Sequence, residues 1–455
     1  MSTSYNVRFQ KVYVYRGKRK VTYWVRWTVA GEPFKEKFAN DALADSFRSE
    51  LKRAASKGEA FDTGTGLPVS MRRAKETMAW YTFACRYVDM KWPAAAATSR
   101  RSIAEALTTA TTALLSGRKG RPDDKEIRSA LFNYAFNAPL RASAPPEVAK
   151  VLSWIERNTR AVTDLEEAEV LRATLNTVAS KLDGTPAAAT VVNRKRAVLF
   201  NALDYAVEIR LLETNPIPHL KWSPPRAERE IDPRVVANPV QARTLLAEVR
   251  NVRRAGPHLA ACYALTYHAG LRPEEAVNLR RRNLALPDTG EPDDAWGELH
   301  VERAAPHAGS RWTNSGTTRD ERGLKHRPDR AVRRVPVPPE LVAILRAHLE
   351  QFGTDDDGRL FRGERGGPVP VRLYGAVWRT ARERVFVPEV AAGPLVRRPY
   401  DLRHACVSTW LNAGVEPTRV AEWAGHSVEV LYRVYAKCLH GGDEAAKRKI
   451  MEAMR

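Results

Sequence analysis

Hydrophobic spacing divides the chain into three stretches. Over the first 62 residues the apolar positions fall in β-type runs. VYVY (Val12 to Tyr15) and VTYWVRWTV (Val21 to Val29) are rich in β-branched and aromatic residues and flank the turn Arg16-Gly17-Lys18. Ala30-Gly31-Glu32 then turns the chain into a third short strand around Phe34 to Phe38. The period changes after that: Leu43, Phe47 and Leu51 recur every four residues, as on one stripe of a helix. Asn40 or Asp41 caps this helix and Gly58 ends it. The pattern predicts a module of three strands and a helix over 1–62, followed by a Gly/Pro/Ser/Thr linker, FDTGTGLPVS, placed at 63–75.

From about Glu76 to Leu212 the period is helical throughout. ETMAWYTFACRYVDMKW, SRRSIAEALTTATTALL, EVAKVLSWIERN, LEEAEVLRATLNTVASKL and TVVNRKRAVLFNALDYAVEIRLL carry apolar residues at i, i+3, i+4 and i+7. An all-α domain is expected over 76–215. Asn215-Pro216 and the proline-rich, charged WSPPRAEREIDPR form a second linker, 216–237. Residues 238–455 are mixed. Helical patterns at 239–252, 257–269 and 273–281 precede short strands near 283–286, 297–303 and 332–337. Further helices follow near 339–351, 372–385, 400–413, 416–424 and 428–436. Such an order describes an α+β domain rather than a repeating βαβ fold.

Composition narrows the function. The chain has 455 residues, 44% hydrophobic and 28% charged with 11 Trp, which is globular rather than disordered composition. No run approaches the ~18 apolar residues of a membrane span, and the N-terminus has no apolar signal region. Four widely spaced cysteines without CxxC or Cys/His spacing suggest plain thiols in a reducing cytoplasm. The formal charge is +21, and residues 1–62 alone hold 13 Lys/Arg against 7 Asp/Glu. A basic cytoplasmic protein of this kind suits a polyanion, with nucleic acid the default. Arg16, Lys18 and Arg26 lie among the aromatics of the first sheet, either as solvated charges or as a face that reads a DNA groove. Arg194, Lys195 and Arg196, near the start of a helix, either are solvated or grip phosphates.

No GxxxxGK[ST], HExxH, paired-Cys site or GxSxG is present, so neither a nucleotide, a metal nor another cofactor is expected. The last 220 or so residues carry a different set. HAGLRPEEAVNL holds Arg272 between Gly270 and Pro273; ERGLKHRPDRAVRRVPVP holds Lys325; RPYDLRHACVSTWLNAGV holds Tyr400, Arg403 and His404; AEWAGHSVEVLYRVYAKCL holds His426 and, nine residues later, Tyr435.

In this order and spacing the chain resembles the tyrosine recombinases of the phage-integrase type, whose order is Arg, Lys, His-x-x-Arg, His or Trp, then Tyr. The match runs from about 239 to 441. The resemblance implies an arm-binding module, a helical core-binding domain and a catalytic domain. It further implies a site-specific recombinase that integrates or excises a phage or mobile element, acting as a homotetramer on double-stranded attachment sites through a Holliday junction. An excisionase or other DNA-bending protein could assist, and the protein would be cytoplasmic, at the nucleoid when bound. The residues after Tyr435, including EAAKRKIMEAM, either close the fold or dock on a neighbouring copy.

The chemistry suits those residue types. Charge builds on the non-bridging phosphate oxygens in the transition state, and two guanidiniums, Arg272 and Arg403, can clamp them bidentately. By the resemblance Tyr435 is the nucleophile, Lys325 the general acid and His426 a donor to the phosphate. His404 is a supporting residue, and Glu275, three residues after Arg272, could orient that guanidinium. Tyr432, six residues after His426, is taken as packing. Tyr400 departs from the family, which has histidine there; a phenol with a pKa near ~10 is mainly a donor at neutral pH. Either Tyr400 contacts the phosphate while another group or water takes the proton, or activity is impaired; the first is favoured. Two other readings stay open: a type IB topoisomerase-like strand transferase, and a non-catalytic DNA-binding protein on the same fold.

Overall fold

The structure is a computed structural model that describes residues 2–16, 21–71, 78–181, 185–228, 230–288, 290–325, 327–328, 330–364, 366–438, 447–448, 450–452 and 454. Lys18 and much of the tail after Cys438 therefore lie outside the described residues. The chain forms two compact units, residues 1–93 with 103–224 and residues 94–102 with 225–455. The divide at 224/225 falls inside the expected second linker.

In the first unit, Val21–Val29 is the central strand of an antiparallel sheet. Glu32–Phe38 pairs along one edge, with Arg26 opposite Lys35. The other edge is shared by Val7–Phe9 and Tyr13–Arg16. Val7–Phe9 went unpredicted because three residues are too short to show a period. Alternation along the central strand buries Val25, Trp27 and Val29 against the helix Asp41–Ser56, through Ala44 and Leu51. Asn40 caps that helix, its Oδ1 accepting from Leu43 N at 2.9 Å.

Residues 63–71, expected as linker, instead pack onto this module. The backbone amides of Gly64 and Thr65 donate to Asp62 Oδ1, forming a tight turn. Gly66, at φ +72°, then carries Leu67 into the core, and its carbonyl accepts from Trp27 Nε1. Phe34 lies so close to Gly66 that a Cβ there would meet the ring at 2.2 Å. The expected helices follow, among them Trp80–Lys91, Pro146–Asn158, Ala168–Val178 and Ala189–Glu208. Between the expected segments lies Asp124–Ala130, opened by a capping box of Asp123 and Glu126.

The second unit is organised around Gly256–His268, which is buried nearly all round. It packs against Pro239–Val249, Pro339–Phe352 and Asp401–Asn412. A three-stranded antiparallel sheet runs Arg333–Val337, Gly297–Val301, Leu284–Ala285, with Val335 opposite Leu299. The helix expected over 273–281 stops at Ala276. Beyond it Leu279 and Arg280 pair with the 358–360 strand-like segment, and Arg280 forms ion pairs with Glu321 and Asp357. Ala276, Val277 and Leu279 are buried either way, so apolar spacing alone could not separate the two backbones.

Replacing Gly66 tests whether residues 63–71 belong to the module. Gly66→Ala combines a left-handed φ with a clash against Phe34, so protection of the Val21–Val29 amides from hydrogen exchange should fall by about 2 kcal/mol or more. Unchanged protection would show that this stretch is detached.

Candidate active site

Three short segments of the second unit converge. The buried helix Gly256–His268 runs out at Gly270, whose φ of +59° turns the chain beneath Trp410. Arg272 then stands at the N-terminus of Pro273–Ala276. The helix Asp401–Asn412 brings Arg403 and His404 in its first turn; its start is fixed by Asp401, which is buried and accepts from Arg398 N and Nη2 at 2.9 Å. The helix Pro417–Ala424 packs against the strand Arg333–Val337 and ends on Gly425, at φ +65°, so that His426 follows on a turn. Val428–Tyr435 then carries Tyr435 as its last residue.

At the base of the site lies one carboxylate. Glu275, 2% exposed, accepts from Arg272 Nη1 at 2.8 Å and from Arg272 N at 2.9 Å. It also accepts both terminal nitrogens of Arg333, at 2.9 and 2.6 Å. Burial alone would raise the Glu275 pKa, but Arg333, then Arg272 and Arg403, outweigh it and hold the carboxyl well below its usual range. Arg333 was not anticipated. Its signal was the alternation in RRVPV, which puts Arg333 in the inward phase with Val335 and Val337. An inward arginine requires a buried anion.

The second guanidinium, Arg403, is fully buried. It donates to the carbonyls of Gly270 and Ala424, and its Nη2 lies 2.9 Å from His426 Nε2. Arg272 Nη2 reaches the carbonyl of Gly425 at 2.8 Å. Gly425 is required at this crossing, because a Cβ would come within 2.6 Å of Arg333 Nη1 and 3.3 Å of Arg272 Nη1. Burial and the neighbouring Arg403 and Arg272 press the His426 imidazole down to about 3, so it is neutral near pH 7.

Tyr435 is 0% exposed and its ring sits among Ile231, Val407, Val420 and Leu431. Its hydroxyl lies 3.1 Å from His404 Nδ1. Burial pushes this phenol well above its usual range, against the opposing effect of Arg403. His404, expected as a supporting residue, thus touches Tyr435 itself. Tyr400 is half-buried and its ring packs edge-on against His404, 5.0 Å between centroids. Tyr432 is half-exposed on the outer side of the same helix.

Lys325 is not brought into this cluster. It stands exposed on the turn after Arg322–Gly323, which pairs with Arg303–Ala304, and no hydrogen bond or ion pair joins it to the cluster among the described residues. The expected DNA contacts in the first unit also differ. Arg26 is exposed on the outer sheet face and lies over the Tyr13 ring at 4.8 Å, while Lys35 and Lys37 flank Trp24 at 5.4 and 5.9 Å. Arg16 is exposed at a strand end. By contrast Lys195 is buried against Glu105 and Thr109, and the exposed Arg194 pairs with the same carboxylate at 2.8 Å, so one anion is shared between two cations; Arg196 is half-buried. Among the described residues no group of three or more His, Cys, Asp or Glu could hold a metal, and no helix is long and apolar enough to cross a membrane.

No family model matches the chain. In sequence it is 25% identical over 178 residues to the tyrosine recombinases XerC of Nitrobacter winogradskyi and of Bradyrhizobium diazoefficiens. The matched segment is 39% of this chain and 44% of each relative, so the chain spans less than half the length of these curated proteins. The resemblance to tyrosine recombinases read from the motif order is thereby borne out. Among solved structures, the Tn1549 transposon integrase in complex with circular intermediate DNA covers 69% of this chain and 96% of its own, at 16% identity and a TM-score of 0.49. A lambda integrase tetramer bound to a Holliday junction covers 94% of both chains at 12% identity and a TM-score of 0.43. With TM-scores below 0.5 both structural likenesses are remote.

Removing the shared carboxylate exposes the cost of the arrangement. Glu275→Gln leaves Arg333 buried without an anion and should lower unfolding stability at pH 7 by about 3–5 kcal/mol. Because the folded-state pKa of Glu275 is depressed, its contribution is complete above the ordinary carboxylate range and is lost as pH falls through the depressed value. The gap between wild type and variant should therefore begin to narrow below about pH 4. Urea unfolding followed by Trp fluorescence at several pH values measures both effects.

Proposed function

We propose that this chain is a site-specific DNA recombinase that cuts and rejoins double-stranded DNA through a 3′-phosphotyrosine bond, integrating or excising a phage or other mobile element. The observation that carries the reading is the convergence of Arg272, Arg403, His426 and Tyr435 from three segments that together span 163 positions of the chain. This is the set that an in-line attack on a phosphodiester needs. Two guanidiniums neutralise the non-bridging oxygens, and their positions are fixed before substrate arrives, so no reorganisation is required as charge develops.

Tyr435 Oη attacks the phosphorus, the bond to the 5′-oxygen breaks, and the departing oxygen takes a proton from Lys325. Bringing Lys325 to that oxygen requires DNA binding to fold its turn over the site. His426 can donate to the phosphate only as the tautomer with hydrogen on Nε2. That nitrogen now faces Arg403 Nη2, whose guanidinium is held by the carbonyls of Gly270 and Ala424, so the imidazole must leave it for the phosphate as substrate enters. Tyr400, at the mouth of the site, supplies a neutral donor to the same phosphate. Since the phosphotyrosine conserves the bond energy, the free 5′-hydroxyl can reverse the step without a nucleotide.

On the outer sheet face of the first unit, Arg26, Lys35 and Lys37 against Tyr13 and Trp24 form a surface suited to a DNA groove. Arg16 borders it. Assembly as a tetramer on two duplexes, and help from a DNA-bending accessory protein, complete this reading.

A nicked duplex carrying the short direct repeats that bound the genomic segment encoding the chain is the direct probe. Wild type should be trapped on it as a covalent adduct, and Tyr435→Phe should bind equally but form none; an adduct with Tyr435→Phe would move the nucleophile elsewhere, and binding without any wild-type adduct would favour a DNA-binding protein that does not cut. Tyr400→Phe should slow adduct formation roughly tenfold or more, the worth of one hydrogen bond to a charged group, while leaving DNA affinity intact. An unaltered rate would remove Tyr400 from the site.

A further inference from the structure

We propose that His404 is the general base of the cleavage step, its Nδ1 taking the phenolic proton of Tyr435 as Oη attacks phosphorus. The inference rests on the recombinase reading and names a group that the reading leaves open. Its basis is the contact itself: Nδ1 lies 3.1 Å from Tyr435 Oη, with the two rings 5.8 Å apart. Tyr435 is wholly buried, so bulk water does not reach the hydroxyl before the site rearranges. Among the described residues His404 provides the hydrogen-bond partner of that oxygen. The other histidine near the tyrosine, His426, has its ring 6.2 Å away and its Nε2 engaged with Arg403.

The backbone explains why this residue can serve. Residues 400 and 404 lie one helical turn apart, on the same face of the segment that begins Asp401–Asn412. The phenol of Tyr400 occupies the first of these positions and packs edge-on against the imidazole at the second, holding its plane. His404 then presents Nδ1 toward the end of Val428–Tyr435.

The electrostatics are compatible with this role. The charged and titratable groups facing His404 are Arg398, Tyr400 and Arg403 from its own segment, with His426 and Tyr435 from the following two. Burial, then Arg403 and Arg398, presses the imidazole down to about 4, which leaves it neutral with a lone pair free at pH 7. A phosphodiester held by Arg272 and Arg403 brings a compensating negative charge. Bound substrate thereby shifts His404 back toward the ordinary imidazole range, near ~6.5, where a base is effective at neutral pH. The step balances as follows: the Tyr435 O–P bond forms and the P–O5′ bond breaks. The phenolic proton moves to His404 Nδ1, and the 5′-oxygen acquires a proton from Lys325. On religation His404 returns its proton to the departing Tyr435 oxygen.

Two measurements test this. The first needs no DNA: nitrogen NMR of the full chain should show neutral His404 with Nδ1 unprotonated and hydrogen on Nε2, and Tyr435→Phe should shift the Nδ1 resonance. Hydrogen on Nδ1, making His404 the donor, would overturn the proposal. The second uses the nicked direct-repeat duplex with wild type, His404→Ala and His404→Asn, the latter preserving much of the side-chain shape. Adduct formation should fall by roughly 10²–10⁴-fold in both variants, with DNA affinity unchanged. The same duplex with sulfur replacing the bridging 5′-oxygen offers a leaving group that needs no proton. It should restore the rate of Lys325→Ala and leave the His404 variants slow. An undiminished rate in either variant, or rescue of them by sulfur, would overturn the assignment. Absence of an adduct with wild type itself would instead sink the recombinase reading, an outcome distinct from a failure of His404 alone.

Discussion

The site depends on a single buried carboxylate that answers two arginines. Glu275 receives both terminal nitrogens of Arg333 from the sheet and one of Arg272 from its own turn, at distances of 2.6–2.9 Å. Isolated burial of any of the three would cost several kcal/mol; together each satisfies the others, and the net charge of the trio is that of one guanidinium. This leftover charge belongs to Arg272, the more exposed of the two, where it can meet an anion from outside. The sheet strand, the turn after the central helix and the Gly425 crossing are thus tied to one another through side chains rather than through backbone pairing. Arg403, by contrast, has no carboxylate partner among the described residues. It is held by the carbonyls of Gly270 and Ala424, which position it without neutralising it.

That difference explains the protonation pattern around the site. Two or three cations in a buried space make every nearby group resist further positive charge, so both His404 and His426 are held neutral. A neutral histidine is a useful acceptor, whereas an imidazolium is not. On the proposed reading, the free protein therefore keeps its titratable groups in the forms that an incoming phosphodiester would require, and the substrate would supply the missing negative charge. The proposed nucleophile, Tyr435, is guarded in another way: its ring forms part of a small apolar cluster, and its helix is fastened by Ile231 N to Val434 O and by Asn412 to Cys438 O. On that reading, exposing Oη to DNA means loosening these contacts.

Much of this was legible in the sequence because motif order survives where local periodicity does not. Arg272, Arg403, His426 and Tyr435 were singled out by the resemblance of their order to that of tyrosine recombinases, and the structure brings them together; the alternation in VTYWVRWTV marked the central strand at its observed bounds. What could not be read was side-chain direction across long separations. Lys195 looked available for phosphate from its helix alone, yet Glu105, 90 residues earlier, takes up its charge. His404 looked ancillary because its partner is 31 residues away and meets it only once the last helices pack. Residues 63–71 read as linker from their Gly, Pro and Thr content; the same glycines permit the tight turn that returns Leu67 to the core.

The surplus charge of +21 can accordingly be divided by what each cation faces. Lys195 is buried beside Glu105, which also pairs with the exposed Arg194, so this trio keeps a single net positive charge. Arg26, Lys35 and Lys37 lie over aromatic rings, in no ion pair among the described residues, which keeps them extended and available to phosphates in a groove. Contacts of that kind release counterions and weaken steeply with salt. Arg403 is buried and Arg272 mostly so, both fixed by carbonyls or a carboxylate and screened less by ions outside. On the proposed recombinase reading, binding and cutting should therefore separate under salt: added ions would loosen the grip of the outer sheet face while leaving the field at the scissile phosphate nearly unchanged once DNA is in place.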